Sequence, residues 1–202
     1  MVLWKQRRLP GITVKKKTID TKRIEKAVRD ILIAIGENPE REGLKDTPRR
    51  VAKLYSEIFR GILEDAGKNI KVYKQVKYDE IIIVKDIPFY SMCEHHLLPF
   101  FGKIHIAYIP RDNRITGFSN LLDFVDTASR RPQIQERLTQ EIADTIMRVL
   151  NPLGVFVIVE ARQLCLEMQG KKRTGEYTVT SAIRGAFKRE ATRLEALNLM
   201  RE

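Results

Sequence analysis

Residues 103–110 have the sequence KIHIAYIP, in which the side chains alternate in the manner of a β-strand. Successive side chains of a strand point to opposite faces of its sheet, so every second residue shares a face. One face would carry Ile104, Ile106 and Tyr108, and the other would carry His105, Ala107 and Ile109. Residues 155–159 (VFVIV) form an unbroken apolar run that predicts a second strand. β-Structure is therefore expected at the centre of the fold.

Helices and further strands are predicted on both sides of this centre. Apolar residues at spacings of three and four predict helices, and short β-branched runs predict strands. Helices are expected from Thr21 to Ile35, from Thr47 to Ile58, over 118–129, from Arg131 to Val149 and from Glu190 to Met200. Strands are expected over 70–76, 81–84, 103–110, from Val155 through to Met168, and over 177–183. This order predicts the α+β class, with a largely antiparallel sheet, helices on one face and an N-terminal helical extension.

The pattern also suggests a domain organisation for the 202 residues. Residues 1–18 resemble a basic N-terminal arm, residues 19–66 an N-terminal helical region, and residues 67–202 a sheet domain that would carry the chemistry. A chain of this length buries enough surface to fold without disulfide bonds. Its two cysteines, Cys93 and Cys165, are too few for a secreted disulfide framework and are either buried thiols or metal ligands.

Composition excludes some classes of protein and leaves others open. No apolar run approaches the roughly 20 residues that span a bilayer, which excludes a membrane protein. The basic start lacks the apolar segment of a secretory signal, so a cytoplasmic protein is expected. The net charge of +11 favours anionic partners. A nucleic acid, a nucleotide or phosphate compound, and a simply well-solvated surface all remain compatible with it.

The segment that points to chemistry is residues 91–96, SMCEHH, which holds two of the three histidines beside one of the two cysteines. The spacing of Cys93 and His96 suits Zn²⁺, which prefers sulfur and nitrogen ligands. With Cys165 as a third ligand, the site would keep the open position of a catalytic zinc. His95 would be a further ligand or a proton carrier, and Glu94 would orient a ligand imidazole. A buried thiol beside surface histidines is the plainer alternative.

At this point the sequence resembles the GTP cyclohydrolase I family. The matching stretches are 46–53 (DTPRRVAK), 91–96 with Gly102-Lys103, 117–119 (GFS), 131–139 (RPQIQERLT), Glu160-Ala161 with Cys165, and 178–181 (TVTS). They follow the order of the family over about residues 20–200. Several spaced motifs make a more specific signal than one short pattern does.

The resemblance implies a tunnelling fold (T-fold), in which subunits complete a β-barrel, usually as a decamer. It implies that Zn²⁺ held by Cys93, His96 and Cys165 helps water to open the imidazole ring of GTP, giving formate and 7,8-dihydroneopterin triphosphate. It further implies three roles for five other residues. The catalytic histidine would be His95, the guanine contacts Glu136 and Gln135, and the residues near the phosphates Ser119 and Arg50.

Four positions depart from the pattern of the family. Gln163 stands where a second catalytic histidine is expected, and glutamine cannot carry a proton near neutral pH. The other three concern the phosphates, where cations are expected but Asn120, Asp123 and Gln169 occur. Each charge-assisted hydrogen bond to phosphate contributes roughly 1.5–3 kcal/mol, so triphosphate binding should be weakened.

These departures leave three functional interpretations open. The first is GTP cyclohydrolase I activity with tolerated substitutions. The second is a family member that acts on a purine compound with fewer phosphates, or that stops at the ring-opened formamide. The third is a non-catalytic ring-forming or nucleic-acid-binding protein. The complete ligand set counts against the third, and nucleic acid is accordingly the less favoured partner.

Overall fold

A computed structural model describes residues 18–74, 77–169 and 176–201. The helices are α1 (Thr21–Ala34), α2 (Thr47–Ile58), α3 (Phe118–Ser129), α4 (Gln135–Leu150), the single turn α5 (Leu164–Glu167) and α6 (Glu190–Arg201). The strands are β1 (Ile82–Cys93), β2 (Pro99–Ile109), β3 (Pro132–Gln133), β4 (Gly154–Gln163) and β5 (Thr178–Gly185). The helix predicted over 118–129 is confirmed at both ends. Most of the predicted basic arm, residues 1–17, lies outside the described residues.

The five strands form one sheet in the order β3-β1-β2-β4-β5. The pairs β1/β2, β2/β4 and β4/β5 are antiparallel, and only the two-residue β3 runs parallel to its neighbour. The α+β class with a largely antiparallel sheet is therefore confirmed. Within the described part of the chain, β5 has a strand neighbour on one side only, and β1 meets β3 only through Met92 and Cys93. Both margins of the sheet thus have unpaired backbone.

The alternation predicted for residues 103–110 divides the two apolar clusters of the protein. Ile104, Ile106 and Tyr108 are fully buried in the larger cluster, together with residues of α3 and α4. Ala107 lies in the smaller cluster on the opposite face, with Phe156 and with Ala196 of α6. α3 and α4 thus pack against one face, as expected from the sequence, whereas α6 packs against the other face, where no helix was expected.

Three predicted elements differ from the structure for identifiable reasons. Residues 70–74 form no strand beyond one bridge between Tyr73 and Ile115, and residues 75–76 of that prediction lie outside the described residues. The fourth predicted helix starts at Gln135 rather than Arg131, because Pro132 and Gln133 pair with the end of β1. The strand from Val155 ends at Gln163 rather than Met168, so Cys165 lies in the turn α5.

A close approach of β2 and β4 fixes the sheet near the end of β4. Gly102 of β2 is paired with Ala161 of β4. A Cβ atom on Gly102 would lie 1.9 Å from the backbone oxygen of Glu160. Only glycine fits this distance, so Gly102 sets the separation of the two strands just before Gln163.

The chain forms two compact units, residues 1–52 and residues 53–202, and the boundary between them falls within α2. α1 belongs to the first unit and the sheet belongs to the second. The boundary proposed from the sequence at residue 66 stays a prediction. None of the helices in the described ranges has the length and apolar character needed to cross a membrane.

Candidate metal centre and cavity

The loop between β1 and β2 brings both candidate histidines to Cys93. The Leu97 amide donates to the Cys93 carbonyl (2.9 Å), and the Cys93 amide donates to the Leu98 carbonyl (2.8 Å). Leu97 takes a left-handed conformation (φ 52°) that turns the chain back towards β2. The Nδ1 atoms of His95 and His96 then lie 3.8 and 4.0 Å from Cys93 Sγ.

The turn α5 brings Cys165 to the same place. One ligand atom from each of Cys93, His96 and Cys165 lies within 4.8 Å of the others, and among the described residues this is the one such group found. Tetrahedral zinc with bonds of about 2.0–2.3 Å holds its ligand atoms roughly 3.5–4 Å apart. The residues therefore fit a zinc ion after a small contraction, and three ligands leave one position open.

Burial affects the protonation of this group. Both cysteines are buried, whereas His96 is exposed. Burial raises the pKa of the Cys165 thiol, and the neighbouring Cys93 thiol raises it further. Metal binding has to displace the thiol protons, so it is linked to proton release.

Glu94 has a partner that the sequence did not predict. The guanidinium group of Arg137 on α4 donates two hydrogen bonds to its carboxylate, at 2.6 and 3.0 Å. This pairing lowers the pKa of Glu94, chiefly through the hydrogen bond from Arg137. The ion pair holds the loop against α4, and the expected role of Glu94 in orienting a ligand imidazole stays a prediction.

A cavity of about 210 Å³ opens beside two of the three candidate ligands, Cys93 and Cys165. Its wall includes Cys93, His95, Gln135, Glu136, Gln163 and Cys165. His95 and Glu136 are exposed, so both can reach solvent or a bound molecule. Six residues selected from the sequence thus line one cavity, with Gln135 buried in its wall, whereas His96 is not among the lining residues.

Two amide side chains in the wall have a fixed orientation. The Nε2 group of Gln135 donates to the backbone carbonyls of Val159 (2.9 Å) and Thr178 (2.8 Å). Its Oε1 atom must then accept, and it receives a hydrogen bond from Gln163 Nε2 at 2.7 Å. The carbonyl oxygen of Gln163 is left for the cavity. Because two main-chain carbonyls set the direction of this amide chain, Gln163 presents an acceptor there.

In a strand that ran on to Met168, Gln163 and Cys165 would share one face and would both point at the metal site. Cys165 is not on β4, so the two residues share no strand face. Gln163 still lines the cavity because it is the last residue of β4, immediately before the turn that carries Cys165.

Replacing Gln135 with leucine is expected to destabilise the protein by about 2 kcal/mol, because two buried carbonyls lose their donor. Gln163 should also lose its fixed direction. The free energy of unfolding from urea titration measures the first effect. Gln140→Leu, an exposed glutamine of the same helix, is the control and should change stability little. Equal effects of the two substitutions would contradict the amide chain.

The residues considered for contacts to the phosphates do not line the cavity. Ser119 is exposed at the start of α3 and is not part of the cavity wall, and Asp123 is exposed one turn later. Arg50 belongs to the first unit, where it pairs with Asp46 and donates to the Gly43 carbonyl. Gln169 contacts His96, with 2.9 Å between Gln169 Nε2 and His96 Nε2.

The structure adds residues that sequence reasoning did not select. Phe100, Gln133 and Thr178 also line the cavity, and Arg137 anchors its loop. Gln133, Arg137 and Thr178 fall inside the stretches 131–139 and 178–181, so the resemblance marked their segments without assigning them roles. Phe100 pairs with Gln163 across β2 and β4, a contact that only the register reveals.

The mostly antiparallel sheet with its helices and the Cys-His-Cys group define a class of α+β proteins with a candidate metal centre, and comparison with known proteins narrows this class. The family model described as GTP cyclohydrolase I matches residues 24–201. The chain belongs to the GTP cyclohydrolase I family and is a GTP cyclohydrolase I-like enzyme.

Similar proteins, matched over nearly their whole length, support the membership of this chain in the family. A protein named GTP cyclohydrolase 1 from Pelotomaculum thermopropionicum is 57% identical over 90% of this chain and 97% of its own. One of the same name from Thermoanaerobacter pseudethanolicus has the same identity and coverage. One from Caldanaerobacter subterraneus is 59% identical over 84% of this chain and 90% of its own.

Proposed function

We propose that the protein is a zinc-dependent cyclohydrolase that opens the imidazole ring of a guanine nucleotide, with GTP as the first substrate to test. The observation that carries the proposal is the convergence of Cys93, His96 and Cys165. The two cysteines of this group line the cavity that also holds His95 and Glu136. The names of the similar proteins support GTP as substrate. The overall change would be GTP and water to 7,8-dihydroneopterin triphosphate and formate.

We assign the metal position to Cys93, His96 and Cys165. A zinc ion bound there would supply Lewis-acid activation of water near neutral pH. Two thiolates and one neutral imidazole are ligands that zinc accepts readily. Both thiols are buried next to the cavity, so a substrate bound there would shield them from solvent.

His95 is our candidate for proton transfer. It lies beside the ligand group without belonging to it, and it lines the cavity. An imidazole can both accept and donate a proton, and an exposed one can exchange its proton with solvent. It can therefore deliver protons to the ring nitrogens as the purine opens.

Glu136 is our candidate for recognition of guanine. Its exposed carboxylate lies in the first turn of α4, at the rim of the cavity. A carboxylate accepts the two neighbouring N–H groups of guanine and rejects adenine, which lacks this donor pair. Gln135 would act differently from the expectation, because its amide hydrogens are engaged by the main chain. We assign it the positioning of Gln163, which would accept a hydrogen bond from the substrate.

Ser119 and Arg50 remain our candidates for contacts to the phosphates. Because Ser119 lies outside the cavity wall of its own chain, we propose that it contacts the phosphates of a substrate bound by a second copy of the chain. The two sheet margins with unpaired backbone favour such an assembly, since strand edges pair readily. We therefore propose a homo-oligomer, with a decamer as the specific form, and a cytoplasmic location. We also propose residues 67–202 as the catalytic domain.

A second candidate keeps the chemistry and changes the substrate. Asn120 and Gln169 are neutral and Asp123 is acidic at positions where the resemblance implies cations. A purine compound with fewer phosphates, or a reaction that ends at the formamide, would fit this set better. A non-catalytic or nucleic-acid-binding role is the third candidate and has no support in the cavity.

The deciding experiment incubates the zinc-loaded protein with GTP, GMP or guanosine and follows formate and pterin fluorescence separately. Formate and pterin from GTP would establish the full reaction. Formate without pterin, or a ring-opened product alone, would establish early termination. Turnover of GMP or guanosine but not GTP would establish the second candidate. A zinc-bound protein inactive on all three would contradict the proposal.

Restoring two cations should shift the preference towards the triphosphate. The double variant Asn120→Lys, Asp123→Arg is expected to raise the affinity for GTP relative to guanosine by about a hundredfold or more, because each cation adds a charge-assisted bond of roughly 1.5–3 kcal/mol. Equilibrium binding of both ligands measures it. The control, Asn198→Lys with Glu195→Arg on exposed positions of α6, adds the same charge at the same spacing. An equal shift in the control would mean that only net charge matters.

A further inference from the structure

The two ring nitrogens of His96 face different partners. Nδ1 lies 4.0 Å from Cys93 Sγ, on the side of the candidate ligands. Nε2 lies 2.9 Å from the amide nitrogen of Gln169. The imidazole is therefore held between the Cys-His-Cys centre and one glutamine side chain.

We propose that Gln169 is a positioning residue that holds His96 as an Nδ1 ligand of the metal. This inference rests on the proposed zinc site. When Nδ1 binds a metal, Nε2 carries the ring hydrogen and needs an acceptor. The Gln169 amide supplies one by rotating so that its oxygen replaces its nitrogen. Without a metal the same amide donates to Nε2, so glutamine serves both tautomers of His96.

The position of Gln169 in the chain suits this role. The Met168 amide closes the turn α5 by donating to the Leu164 carbonyl (2.9 Å), and Gln169 follows directly. One short segment therefore supplies both the ligand Cys165 and the support for the ligand His96. Movement of this segment would disturb two of the three ligands together.

The alternative is that Gln169 is only a lost phosphate contact. The resemblance implies arginine here, and a guanidinium group has donors but no acceptor. Arginine cannot accept the hydrogen of a metal-bound imidazole, whereas a carboxylate can. The positioning role therefore predicts that arginine at position 169 weakens zinc binding. A lost phosphate contact predicts that arginine strengthens binding of the triphosphate and leaves zinc affinity unchanged.

The test compares zinc affinity among full-length variants by competition with a chromophoric chelator at fixed pH. Gln169→Met removes the hydrogen bond, Gln169→Arg leaves only donors, and Gln169→Glu keeps an acceptor. We expect affinity to fall about 10–100-fold in the first two, as when other supports of metal ligands are lost, and to be retained in the third. Gln140→Met is the control for removing an exposed amide.

Rescue by glutamate separates positioning from a general structural effect, and thermal unfolding of the metal-free variants checks that the fold is unchanged. Unchanged zinc affinity in Gln169→Met and Gln169→Arg would overturn the inference while leaving the zinc site intact. Equal losses in all three variants would overturn it as well. A parent protein that binds no zinc would instead overturn the proposed metal centre on which the inference rests.

Discussion

Replacing Cys165 with alanine is expected to lower zinc affinity and the rate of formate release by about a thousandfold or more, because a three-ligand centre loses a thiolate and metal activation contributes several kcal/mol. Metal content after dialysis and formate release from the active purine substrate measure the two effects. The fold should remain, since the variant removes one sulfur atom from a cavity wall.

Met168→Ala is the matched control for Cys165→Ala. Met168 is 65% exposed, lies three residues away and does not line the cavity. It should keep both zinc and activity. Retention of zinc and of formate release by Cys165→Ala would exclude this cysteine as a ligand and with it the proposed metal centre.

Replacing Gly102 with alanine is expected to destabilise the protein by about 4 kcal/mol, more than ordinary overpacking, because the new Cβ meets backbone rather than a movable side chain. The Cβ would lie 1.9 Å from the Glu160 oxygen and 2.8 Å from the Ala161 Cα. β2 and β4 would have to separate beside the Phe100–Gln163 pair. Urea unfolding at one protein concentration measures the loss, and zinc affinity reports the effect on the centre.

Gly43→Ala is the control for Gly102→Ala. An added Cβ on Gly43 would meet only the end of the Arg41 side chain, which can move. Its stability should stay close to that of the parent protein. A similarly small effect at Gly102 would mean that the two strands can part easily at this point.

Local patterns were sufficient to predict the centre of the fold. The alternation in residues 103–110 gave the correct faces because both faces of β2 are covered by apolar clusters. The helix over 118–129 was predicted correctly because its buried residues recur with helical spacing. These features depend on residues that are near one another in sequence.

The predicted element boundaries were wrong where residues distant in sequence determine the local structure. Nothing local stops β4 at Gln163, since its end is set by pairing with Phe100 at the start of β2. Pro132 and Gln133 form a strand only because the end of β1 lies beside them. The predicted strand over 70–76 finds only one bridge in the part that is described.

The residues of the candidate site could be selected from the sequence, but the contacts among them could not be predicted. Cys93, His96 and Cys165 could be selected because few cysteines and histidines exist in the chain and because the resemblance marks them. The pairing of Gln135 with Gln163 was hidden, because it depends on two main-chain carbonyls from different strands. The partner of Glu94 was hidden for the same reason, since Arg137 lies 43 residues away in sequence.

The fixed direction of the Gln135–Gln163 amides has a consequence for the order in which ligands are held and released. The imidazole ring of an intact purine nucleoside offers a lone pair at N7, whereas a ring-opened formamide offers N–H groups at the corresponding place. A wall oxygen that can only accept is a poor neighbour for the lone pair and a good one for the N–H group. The cavity should thus retain the opened compound longer than the closed one. Because the opened compound is an intermediate on the route to the pterin, its retention would favour completion of the reaction at the site over early release of the formamide.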